Sequence, residues 1–377
     1  MANSTKAIVD LNAIVYNVQA IKELIGKGCQ LMAVVKGDGY GHGAVEVSRS
    51  AIKGGATWLG VANPLEGKRL REAGIKVPIL VLLPIETEEA PVVANYDLSQ
   101  TVENRSILKV LDREARKIGK RIKVHLKIDT GMNRLGFRCE EALGVADEIL
   151  SYRGLELEGV FSHFATADER DKSFALFQLE RFKECIRKLE EAGIQIPLKH
   201  IANSAALLEI PQSHLNLVRA GISIYGIYPS LEGKKSIPLK PAMTITTKVM
   251  SIREVEPGET VGYGREYCVK ERRKIALIPL GYGNGYTRFF SNKGYFLIRG
   301  KRVPQVGIVC MDMCALDVTE IEDLRLGEEV IVFGESLPVE EVAQLIGTIS
   351  YEILCSLGRS IPRTYKNTTE GFPVEGP

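Results

Sequence analysis

The stretch AVVKGDGYGHG, residues 33–43, closes an apolar run on Lys36 and follows it at once with glycines at 37, 39, 41 and 43. An amine at a strand tip, beside a turn carrying Asp38, Tyr40 and His42, suits capture of a carbonyl, because a confined lysine sheds its proton readily. Further polar groups stand at the ends of other apolar runs: Lys127 with Asp129 and Arg134, His163, Asn203 with Ser204, and Arg219. VRAGISIYG continues past Arg219 with backbone amides at Gly221 and Ile222, donors that suit a phosphate, and the Ser204 hydroxyl is a further candidate. Lysine and phosphate cradle together point to a phosphorylated aldehyde as cofactor.

Bringing these groups together requires a scaffold that delivers many strand ends to one rim. Eight runs read as strands: QLMAVVK, TWLGVAN, VPILVLL, LSQTV, KVHLKID, LELEGVFSHF, LKHIANS and LNLVR. NPLEGKRLREAG, NRSILKVLDREARKIGK, EEALGVADEIL and SFALFQLERFKECIRKLEEAG, between them, have helical periodicity, as does NAIVYNVQAIKELIG before the first. The alternation predicts a parallel (β/α)8 TIM-type barrel, with an open doubly wound sheet as the alternative. In such a barrel chemistry gathers at the C-terminal strand ends, where the polar residues above fall.

Past residue 238 the helical rhythm gives way to short strands and turn signals such as EPGE and LGEE. The expected domains are therefore residues 1–238, the cofactor-binding barrel, and 239–377, a β-rich C-terminal domain, with the cut near LEGKKSIPLKP. The opening strand is a candidate to pack with the second domain.

Forty-nine basic and 47 acidic side chains leave a net charge of +2 without long blocks, which points away from nucleic acid and membrane surfaces and toward a small-molecule substrate. Seven scattered cysteines fit reduced thiols and a cytoplasmic location. No secretory signal or membrane-spanning run is visible, and no metal-ligand spacing stands out.

The sequence resembles bacterial alanine racemases, pyridoxal 5'-phosphate enzymes. The resemblance is carried by AVVKGDGYGHG, HLKIDTGMNRLGF, GVFSHFATAD, IANSAA, LVRAGISIYG, VGYGREY, IPLGYGNGY, VGIVCMDM and YEILCSLGRSIPR, in order from residue 33 to 363. It implies that Lys36 holds the cofactor covalently and serves as base on one face of the substrate carbon, while Tyr263 serves on the other. Tyr40, His163, Asn203, Ser204, Arg219, Gly221, Ile222 and Tyr351 fall at cofactor-binding positions, and Arg134, Met311, Asp312 and Tyr282 at substrate-binding ones. Lys127 matches a lysine commonly carbamylated in the family; an ion pair with Asp129 is the alternative. A homodimer with shared active sites, and a role in supplying D-alanine for peptidoglycan, are likewise implied.

Arg219 discriminates further, because a donor-only, always-charged side chain leaves the cofactor's ring nitrogen unprotonated and suppresses side reactions. That favours proton exchange over decarboxylation. The chain departs from the common motif at Gly37 and Gly39, where alanine is usual, at Ala220, where proline is, and at Asn284, where aspartate is. The extra glycines are expected to loosen the loop, and Asn284 leaves open serine or a broader range of small amino acids. A non-catalytic pyridoxal phosphate carrier is the rival reading, against which Tyr263 and CMDM argue.

Overall fold

Both neighbours of the first strand lie far along the chain. β1 (Lys6–Asp10) pairs antiparallel with Met243–Lys248 and parallel with Arg363–Lys366, so it belongs to the sheet of the C-terminal unit. The computed structural model describes residues 4–230 and 232–367, and Leu231, at the head of the expected boundary, lies outside them with both chain ends. One compact unit comprises Ile14–Gly39 and Ala44–Leu239; the other comprises Met1–Ala13, Tyr40–Gly43 and Lys240–Pro377.

In the first unit all eight expected strands form: β2 (Gln30–Val34), β3 (Trp58–Val61), β4 (Ile79–Val81), β5 (Ser99–Val102), β6 (Ile122–Asp129), β8 (Leu155–Phe161), β9 (Leu198–His200) and β10 (Leu217–Ala220), with a two-residue strand β7 (Phe137–Arg138) beside β6. They run parallel in the order β10-β2-β3-β4-β5-β6-β8-β9. The Arg219 N–H donates to the Ala202 carbonyl at 3.0 Å and ties β10 to the end of β9, which nearly closes the (β/α)8 barrel. Met32, Trp58, Leu80, Leu198 and Leu217 pack together in its core, each such burial contributing roughly 1.5–3 kcal/mol.

The helices form where their periodicity predicts, at Leu11–Ile25, Pro64–Glu72, Ser106–Ile118, Ala142–Ser151 and Ser173–Glu191. Asn63 caps Pro64–Glu72 by accepting the Glu66 amide, and proline takes the first position, where its missing N–H is not needed.

The second unit is mainly a nine-stranded sheet. It also holds two helices, Val339–Gln344 and Ser350–Ser360, so helical structure does not end at residue 238. The second buries Ile353, Leu354 and Leu357, a spacing already readable in YEILCSLGRSIPR.

Candidate active site

Lys36 lies two residues past β2, and the turn after it is wound the wrong way for L-residues. Gly37, Asp38, Gly39 and Tyr40 all have positive φ, at 64°, 53°, 64° and 51°. Glycine adopts this left-handed region without strain, so Gly37 and Gly39 fit the turn rather than loosen it. Its ends are pinned. The Glu66 carboxylate accepts the Gly37 amide at 2.7 Å and the Ala62 amide at 2.8 Å, joining the loops after β2 and β3. Asp38 Oδ1 accepts the Ala44 amide at 3.0 Å, and the Tyr225 hydroxyl donates to the Val34 carbonyl at 3.0 Å.

Arg219, at the end of β10, is 4% exposed. Its guanidinium donates to the carbonyls of Ser162, His200 and Ile201 at 2.8–3.1 Å, and to Nδ1 of His200 at 2.8 Å and of His163 at 3.0 Å. Burial pushes it down to about 9, so it keeps its charge at neutral pH. Burial, then the Arg219 charge, holds both His163 and His200 well below the ordinary imidazole value, so both are neutral acceptors.

His200 passes the chain of bonds on to His125, 2.9 Å away, and His125 to Glu158 at 3.2 Å. Gly159 leaves room for this, since a Cβ there would lie 2.5 Å from His125 Nδ1. Phe161 stacks flat on His200, with ring centroids 4.8 Å apart.

Lys127, on β6, is buried with its Nζ 4.3 Å from the Phe161 ring centre. Burial first, then Arg219 and Arg134, holds its ammonium well below the usual lysine range. Lys127 forms no ion pair among the described residues; Asp129 instead accepts the amides of Gly131 and Asn133 and shapes the next loop. Lys127, Arg134, Ser162 and His163 line one small cavity.

At the other side of β10, Ser204 Oγ accepts the Gly221 amide at 2.9 Å and lies 3.0 Å from Ser223 Oγ. The Gly221 amide is thus turned to Ser204. Ile222 opens the short helical turn Ile222–Tyr225, where its N–H has no acceptor within the turn and suits an anion. The Asn203 side chain caps Ser204–Glu209 by accepting the Ala206 amide at 3.0 Å. A lysine amine past a strand end, a donor-only cation and an amide at a helix start fit the aldehyde, ring nitrogen and phosphate of pyridoxal phosphate.

Within the second unit, Tyr40 lies 5.9 Å from Tyr351, ring to ring. Gly41 and Gly358 touch so closely that a Cβ on Gly41 would meet the Leu354 carbonyl at 2.4 Å. Tyr263 stands on a short turn between Gly262 and Gly264 and is 72% exposed. The Tyr282 and Gly283 amides donate to the carbonyls of Cys310 and Met311 at 3.0 and 2.8 Å, which joins those loops and brings Asp312 beside Gly283. Asn284 accepts the Gly281 amide at 3.1 Å and so closes the loop carrying Tyr282.

Glu66, His125, Glu158, His200 and Tyr225 escaped the sequence reading. Glu158 and His125 stood in strands that already carried charged residues, IKVHLKID and LELEGVF, so neither was conspicuous. Glu66 lay inside a recognised helix, where a glutamate is unremarkable.

Residues 9–229 match the family model described as alanine racemase, N-terminal domain, and residues 242–365 the one described as alanine racemase, C-terminal domain. The chain is 45% identical over 362 residues to an alanine racemase of Desulforamulus reducens, covering 95% of this chain and 98% of the relative. It is 41% identical over 371 residues to one of Halothermothrix orenii, covering 97% and 98%. The solved alanine racemase of Clostridium difficile 630 superposes with a TM-score of 0.92 at 38% identity, over 97% of this chain and 96% of that one.

Proposed function

The chain belongs to the alanine racemase family, an isomerase of the amino-acid racemase class, and from that premise we propose that it interconverts L-alanine and D-alanine with pyridoxal 5'-phosphate bound at Lys36. Bound there, the cofactor would draw electrons from the substrate's α-carbon and acidify its hydrogen. Lys36 is the proposed base on one face. The partner subunit's Tyr263 is the proposed base on the other, in a homodimer with shared sites. The exposure of Tyr263, Tyr282 and Met311 on adjoining loops supports that assembly.

Arg219 carries the reading. Held by carbonyls and two imidazoles, with donors only, it would face the ring nitrogen without protonating it, which favours proton exchange over deeper carbanion chemistry. Ile222, Ser204 and Tyr40 are proposed to hold the phosphate, with Asn203 and Gly221 shaping its loop, and His163 and Tyr351 to orient the cofactor. Arg134, Met311 and Asp312 are proposed to bind the substrate carboxylate, and Tyr282 to line the entrance. Lys127 is the proposed site of carbamylation, which would place an anion beside the two arginines that depress its ammonium.

No described helix is long and apolar enough to cross a membrane, and we read the enzyme as cytoplasmic, supplying D-alanine for peptidoglycan. The test is incubation with L-alanine and with L-serine in deuterated water, following optical rotation and label at the α-carbon. Racemisation of alanine with solvent label supports the reading, and preference for serine redirects it to a broader specificity. Carbon dioxide release without label would identify a decarboxylase, and cofactor binding without turnover a carrier.

A further inference from the structure

We propose that Glu158 is the counter-charge of Arg219, and that it fixes, through His125 and His200, the direction of every hydrogen bond between them. Glu158 is thus a positioning residue for the group that Arg219 faces; the inference rests on the racemase reading and deepens it.

Arginine has no acceptor, so His200 Nδ1, 2.8 Å from Arg219 Nη1, must offer a lone pair and His200 must carry its proton on Nε2. That nitrogen lies 2.9 Å from His125 Nδ1, which must then accept, leaving the His125 proton on Nε2. His125 Nε2 lies 3.2 Å from Glu158 Oε2, and a carboxylate can end the chain because it only accepts. Glu158 is committed to this state: it also accepts from Ser99 Oγ at 2.6 Å and pairs with Lys123 Nζ at 3.1 Å. With Arg219 at one end and a carboxylate at the other, the chain is satisfied in one direction only.

Among the described residues Arg219 forms no direct ion pair, although it is buried with its charge. An isolated buried cation is unfavourable, and a carboxylate two imidazoles away relieves it by polarising aligned hydrogen bonds. A glutamine in place of Glu158 keeps the shape but removes the charge and no longer imposes the alignment, because its amide both accepts and donates. Its amide could donate to His125 Nε2, and the reversed chain would then set an N–H of His200 against the donors of Arg219.

The test compares the holoenzyme with its Glu158→Gln and Ser99→Ala variants, by 15N spectra of ring-labelled histidine with the cofactor and after its removal, and by transamination by-product per racemisation turnover. In the unaltered protein, His125 and His200 are expected as neutral Nε2–H tautomers in both forms. In Glu158→Gln the Nδ1–H form of His200 should appear, and by-product per turnover should rise about tenfold, the equivalent of one pKa unit of lost support. Ser99→Ala, which keeps the carboxylate, should leave both readings in place. A cationic or Nδ1–H His200 in the unaltered protein overturns the proposal even if Glu158→Gln fails to fold, and so do unchanged tautomers and by-product in that variant. The expected tautomers in a protein that does not racemise alanine would sink the functional reading and leave the relay standing.

Discussion

The Glu66 carboxylate receives the Gly37 amide at 2.7 Å and so holds the residue next to Lys36 from a neighbouring loop. Its other oxygen takes the Ala62 amide, which makes Glu66 a clamp across two strand ends. Hydrogen bonds from amides to a charged acceptor are worth about 1.5–3 kcal/mol each. Glu66→Ala should therefore lower stability by about 2–4 kcal/mol in denaturant unfolding. It should also slow borohydride trapping of the cofactor on Lys36, and trapping at the unaltered rate would show that the clamp does not govern presentation of the amine.

Gly37 and Gly39 sit at φ 64°, where an added Cβ is strained, and a Cβ on Gly39 would also lie 3.2 Å from the Ala44 nitrogen. Restoring the family's usual alanine at either position should destabilise this chain by about 1–2 kcal/mol. Paired thermal melts decide it; a higher melting temperature for the alanine variants would favour the looser-loop expectation.

Much of the barrel was legible because its strands read either as continuous apolar runs, as in VPILVLL, or as alternating ones, as in KVHLKID, and all eight formed. Lys36 and Arg219 were legible because strand-end polar groups are conspicuous against such runs. The left-handed turn was not, since glycine spacing alone does not separate a loose loop from one in which glycine relieves strain. Glu158 and His125 were passed over because their partners, Ser99, Lys123 and His200, come from other strands and meet them only once the barrel closes. The helix Ser350–Ser360 was masked by the β-rich text around it.

Stability should fall as pH drops below about 6.5, the ordinary imidazole value, because burial depresses His125, His163 and His200 in the fold and the unfolded chain takes up protons first. A group whose folded-state pKa is depressed contributes stability above its unfolded value and loses it as pH falls through the folded one. Each such histidine adds up to about 1.4 kcal/mol per pH unit to that slope. Unfolding free energies measured between about pH 7.5 and 5 check this, and a flat profile across the imidazole range would contradict it.

Burial and the charges of Arg219 and Arg134 make Lys127 easier to deprotonate, and only the free amine reacts with carbon dioxide. Protein equilibrated with 13C-bicarbonate should give a carbamate carbon signal that Lys127→Met abolishes. The substitution should also raise the KM for alanine as Arg134 loses its anionic neighbour. No signal, with KM unaltered in Lys127→Met, would leave the lysine as plain packing against Phe161.

Tyr263→Phe should retain the cofactor and the fold, since its ring is already largely in solvent. Exchange of the α-hydrogen should then persist for one enantiomer of alanine and fall by at least about 100-fold for the other, the lower range for loss of a general base. Equal exchange from both enantiomers would remove the phenol from the reaction.

β1 lies between two strands that are made much later, with Lys6 opposite Thr246 and Ala7 opposite Arg363. Its backbone is therefore satisfied on both sides only after residue 366 has been made. A shortened product ending after the barrel would carry that strand as an unmatched, adhesive ribbon, so synthesis has to pass both late strands before Lys6–Asp10 finds shelter.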